Sequence, residues 1–148
     1  MTTKAVLTAL GALALVANHP VPGAAAGPAA PPLEGAVDDA VKIGLDGPDM
    51  DACGGVGRVA LNARELAASA TVRQGSRRSA TRLAELPTGT LVWLCEARGE
   101  WQGIVWPGDS WQDLGDCQVS SPLAAPEAYA GPCKSGWVEA DRLTLVAG

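Results

Sequence analysis

The sequence predicts an all-β domain of short strands stapled by disulfides. Three observations point there. Eighteen glycines and eleven prolines among 148 residues suit a turn-rich β protein better than a helical one. Short apolar runs alternate with turn residues from position 52 onward. Cys53, Cys95, Cys117 and Cys133 form an even set without any Cys-x-x-Cys pair, which reads as two disulfides in a small exported domain.

The chain opens with an address rather than a structural element. Lys4 is the only charge before an uncharged apolar run from Ala5 to Ala17. That run falls short of the about 20 residues a membrane-spanning helix needs, so no stable membrane anchor is expected. It suits the apolar core of a secretory signal, with Ala24-Ala25-Ala26 supplying the small residues that signal peptidase accepts. Residues 1–26 are therefore expected to be removed, which places the protein in the periplasm or outside the cell. An amphipathic helix would need a polar face at helical spacing, and none recurs. No Cys follows the run to carry a lipid.

Cleavage would also remove His19, the sole histidine. Without imidazole the remaining chain has no Ser-His or Cys-His nucleophile pair, no His-ligated zinc site and no group titrating near neutral pH. No catalytic residue, metal or cofactor is expected. Eleven basic and sixteen acidic residues give a formal charge of −5, which argues against nucleic acid as a partner because such binding relies on many cations displacing counterions.

Residues 27–51 are rich in Ala, Pro, Gly and Asp and sustain no period of 2 or 3.6. They read as a disordered linker, with one weak helical turn over Ala36–Leu45. The folded unit is expected at 52–148. Strands are expected at Val56–Leu61, Ala70–Arg73, Thr90–Glu96 and Trp101–Trp106, then from Gly136 and over Leu143–Val146. Leu86-Pro87-Thr88-Gly89 and Arg98-Gly99-Glu100 are the turns between them. Thr90–Glu96 is apolar on both faces, the mark of a central or covered strand. Cys117–Cys133 closing a local loop, with Cys53–Cys95 tying the first strand to a central one, is the preferred pairing of three. A loop of about 15 residues closed in this way is worth roughly 3 kcal/mol. A four-thiolate zinc site is the rival, disfavoured in an oxidising compartment.

Four motifs in order carry a resemblance: Thr71-Val72-Arg73-Gln74-Gly75-Ser76, then Leu86-Pro87-Thr88-Gly89-Thr90, then Gly99-Glu100-Trp101-Gln102-Gly103-Ile104, then Gly136-Trp137-Val138 with Leu143. Their sequence over Val59–Val146 resembles the bacterial SH3-like domain family. The resemblance implies an SH3-like barrel and a non-catalytic cell-envelope module that binds peptidoglycan or a protein partner. In it Gly75 and Gly89 serve tight turns, Val92, Leu94 and Ile104 point inward, and Trp101 and Trp137 cap the ends. Two departures stand out. Ser76 replaces the family's usual Pro, and a short connection is replaced by Pro107–Ser135, which carries Trp111, Tyr129, Cys117 and Cys133. Loops that long are often functional.

Three residue groups are candidate sites. Trp101, Trp106, Trp111 and Tyr129, with Trp93, offer flat surfaces for stacking; the plain alternative is core, since a chain without Phe must fill its volume with other side chains. Arg73, Arg77, Arg78 and Arg82 fall within one short stretch and suit a carboxylate or phosphate; the plain alternative is a solvated loop paired with acids. Asp109, Asp113 and Asp116 suggest Ca²⁺ but lack the regular spacing of a calcium loop. A second functional expectation is a structural or partner-binding protein, an inhibitor or stress-related factor, that uses the 107–135 loop as its projection.

Overall fold

The computed structural model describes residues 39–60 and 69–148. The signal segment, His19, the first part of the linker and Leu61 lie outside the described residues. What is described is a β fold. Nine strands appear: β1 Lys42–Ile43, β2 Gly55–Val59, β3 Ser69–Arg73, β4 Arg82–Pro87, β5 Leu91–Arg98, β6 Trp101–Trp106, β7 Glu127–Ala128, β8 Lys134–Glu139 and β9 Leu143–Ala147. Two short 3-10 turns, Leu114–Cys117 and Ala140–Arg142, are the only helical pieces among the described residues.

Seven strands form one sheet in the order β4-β3-β8-β6-β5-β2-β9. The sheet does not close into a barrel; β4 and β9 remain its edges. Every pairing is antiparallel, so side chains alternate between two faces with period 2. The sequence exploits both. Val92 of β5, Ile104 and Trp106 of β6 and Val138 of β8 pack with Val59, Ala70, Val72 and Leu86 in an inner core. The residues between them, Cys95, Val105 and Trp137, pack into a second core on the other face. The double-sided strand expected at 90–96 is thus central and covered.

The cover is where the structure departs from the expected domain boundaries. Asp39–Asp51 is not a disordered linker but a strap that closes the second core. Val41 and Ile43 are buried there with Ala52, Cys53, Cys117, Val119 and Cys133. The expected helical turn is instead the strand β1, which pairs with β7 of the insertion. Val-Lys-Ile already alternates in the sequence, but three residues are too few for a period to register. Backbone bonds continue the join: Tyr129 N–H donates to the Val41 carbonyl at 2.8 Å, Ala52 N–H to Ser121 at 3.0 Å and Cys53 N–H to Val119 at 3.1 Å. The strap's burial of apolar surface offsets the entropy of ordering a glycine- and aspartate-rich segment.

Buried polar groups fix the strap's position. Glu96, at a bulge between β5 and β6, accepts a bond from the Lys42 amide at 2.8 Å and pairs with Arg98 at 2.7 Å. The Arg98 guanidinium lies 4.5 Å above the Trp137 ring, a cation–π distance. Trp137 in turn donates its indole N–H to the Asp39 carbonyl at 2.7 Å.

Both expected disulfides are present, Cys53–Cys95 and Cys117–Cys133, and no described cysteine is free. Two such bonds fit an oxidising compartment outside the cytosol. Gly89 takes φ +94° as its turn requires. Gly75 has no positive φ; it is needed because a Cβ there would collide with the carboxylate of Asp39.

Candidate functional site

On β3, Ser69, Thr71 and Arg73 alternate and so share one face. Antiparallel pairing sets Glu85 of β4 opposite Thr71 and Arg82 opposite Arg73. Around them lies a groove of about 350 Å³ that also takes in Arg78, Trp101, Glu139 and Arg142. A contiguous hollow of about 280 Å³ shares Arg78 and Glu139 and adds Glu100 and Asp141.

Hydrogen bonds order the groove. Thr71 Oγ1 donates to Glu85 Oε1 at 2.7 Å and Ser69 Oγ donates to Oε2 at 3.1 Å. Arg82 pairs with Glu85 at 3.4 Å, and Arg78 with Glu139 at 2.8 Å. Arg73 donates to the Ala80 carbonyl at 3.0 Å. Two guanidiniums opposed across one ladder repel each other. Their arrangement offers planar donors to a carboxylate or phosphate, with the half-buried Trp101 indole as an apolar wall.

The expected ligand residues separate. Arg73, Arg78, Arg82 and Trp101 come together in this groove. Arg77 does not: its guanidinium grips Asp39 through two bonds of 2.6 and 2.9 Å. That bond from Arg77 is the main reason the Asp39 carboxyl is held below its ordinary range. Trp106 is only 5% exposed and belongs to the inner core, so the expectation of an indole open to ligand is corrected. β6 alternation turns it inward with Ile104 below it in register. Tyr129 is a clasp rather than an open ring. Its hydroxyl donates to the Cys117 carbonyl at 3.1 Å and accepts from the Cys133 amide at 2.9 Å, tying together the two halves of the disulfide loop. Burial pushes the Tyr129 phenol upward, partly countered by the Cys133 amide.

Trp111 stands 77% exposed on the insertion, away from the groove's lining. Asp113 and Asp116 are engaged as a cap: Asp113 accepts from the Gly115 amide at 2.8 Å and Asp116 from the Asp113 amide at 2.8 Å. Among the described residues no three metal-ligating side chains converge. Ser69, Thr71, Glu85, Glu139 and Arg142 are groove residues the sequence reading missed. The alternation Ser-x-Thr-x-Arg was the available signal for the first two; the others arrive from strands and turns distant in sequence. Compared with known proteins, the chain matches no family model, no curated sequence and no solved structure.

Proposed function

We propose that this chain is a non-catalytic binding module of the cell envelope, exported behind residues 1–26 to the periplasm or the exterior. Its groove holds an anionic envelope polymer, with peptidoglycan the first choice. The reading rests on the bacterial SH3-like motif order and, above all, on one observation: Arg73 and Arg82 face each other across β3 and β4 beside Arg78 and Trp101. Peptidoglycan carries carboxylates for the guanidiniums and sugar rings for the indole.

Retention on purified peptidoglycan tests this directly. The intact protein is expected to sediment with the polymer, and Arg78→Ala with Arg82→Ala to weaken retention by about tenfold or more, the scale of lost charge-assisted bonds. Added salt should weaken it further. Absence of retention, or retention indifferent to both substitutions, would remove this reading.

A second reading, a protein-binding factor, is favoured by Trp111. An indole this exposed on a disulfide-held loop is the kind of anchor that dominates protein interfaces.

A further inference from the structure

A hollow of about 420 Å³ opens beside the Cys53–Cys95 disulfide, lined in part by Asp49, Met50, Asp51, Gly55 and Trp93. It shares no residue with the arginine groove. Its floor is built and rigid. Trp93 packs against the second core and donates its indole N–H to the Leu114 carbonyl at 2.8 Å, which fixes the ring's orientation. Gly55 keeps the wall low, since a Cβ there would lie 2.7 Å from the Ala147 carbonyl oxygen. Met50, a large and adaptable apolar side chain, is left 55% exposed at the rim.

The charge around this hollow has one sign. Asp49 and Asp51 both line it, and Asp46 reaches behind it, its Oδ2 lying 2.5 Å from where a Cβ on Gly54 would sit. Glu85, Glu96 and Glu139 of the sheet each hold an arginine. No described cation pairs with Asp49 or Asp51. An apolar floor with a fixed indole and an unneutralised acidic rim is complementary to an organic cation on an apolar stem.

We propose that this hollow is a second binding site, one that takes a lysine side chain presented by a peptide. The methylenes lie along Met50 and Trp93, and the ammonium group reaches the carboxylates of Asp49 and Asp51. The compact point charge at the end of a flexible stem matches carboxylates set beyond an apolar floor. The proposal stands independently of what the arginine groove binds.

The experiment titrates the intact, oxidised protein with a blocked glycyl-lysyl-glycine peptide and with its norleucine counterpart, following the Trp93 indole N–H resonance. The lysine peptide is expected to move that resonance and to bind roughly tenfold more tightly than the norleucine peptide, the scale of a charge-assisted contact with the two carboxylates. Asp49→Asn with Asp51→Asn should erase this advantage without changing the thermal midpoint, and Arg78→Ala should leave it intact. Equal affinity for the two peptides would mean a merely apolar hollow and overturn the proposal. So would a Trp93 resonance that stays in place at saturating lysine peptide, or an advantage that survives the double aspartate substitution.

Discussion

Trp106 and Trp111 stand five positions apart and differ in what their removal costs. Trp106→Ala empties a site of the inner core and should destabilise the protein by about 3–5 kcal/mol in urea unfolding. Trp111→Ala removes an indole that is already in water and should stay within about 0.5 kcal/mol of the parent; equal losses would refute their placement. Asp39 makes a separate prediction. Its carboxyl lies below the ordinary 3.8 in the folded protein, first because Arg77 donates to it. The unfolded chain regains the ordinary value, so the stabilisation is complete above about pH 4 and fades as pH falls through the folded value. Asp39→Asn should therefore lower the urea midpoint at neutral pH, with the gap closing as the pH falls below the ordinary carboxylate range. A gap that persists unchanged in acid would show that the ion pair is not its source.

Among the elements, the strap and the 107–133 insertion depend on each other. Among the described residues β1 has only β7 as its ladder partner, and β7 only β1. Two-residue strands do not persist alone; here they persist because Val41 and Ile43 are buried in the second core. Gly103 of β6 lies close beneath the strap: a Cβ there would meet Val41 Cγ1 at 3.0 Å and Glu96 Cβ at 3.3 Å. Gly103→Val should cost about 1–3 kcal/mol by overpacking and act selectively. Hydrogen exchange is expected to show the Lys42 amide, bonded to Glu96, losing protection while the β5–β6 ladder keeps it. Uniform loss of protection would contradict a strap that lifts by itself. Two features explain what was legible at this scale. Strand β5 announces itself by the apolar run Leu91–Cys95 and β6 by Ile104–Trp106 after a glycine turn. By contrast, β4, Arg-Leu-Ala-Glu-Leu-Pro, is an edge strand with most side chains exposed, so in composition it and the arginines near it resemble a loop.

For the whole molecule, the two disulfides serve different ends. Cys117–Cys133 closes the insertion on itself, whereas Cys53–Cys95 joins the strap's end to the central strand β5. Replacing both Cys53 and Cys95 with Ala should cost about 4 kcal/mol in the chain-entropy account of a loop this long, measurable as a lower denaturation midpoint with the Cys117–Cys133 bond intact. An unchanged midpoint would make the bond ornamental. The all-β class and both cysteine pairs could be read from residue order, because turns, strand runs and loop closure are local or nearly so. The strap and the groove could not. Each gathers residues from far apart: Asp39 meets Trp137, and Arg78 meets Glu139. That bond between Asp39 and Trp137 has a bearing on timing. A chain made from its amino end carries Val41 and Ile43 uncovered until Trp137 of the same core, 98 positions after Asp39, has been made. Distant pairings of this kind slow the final step of folding, and until it is complete these early-made residues remain the easiest for a protease or chaperone to seize.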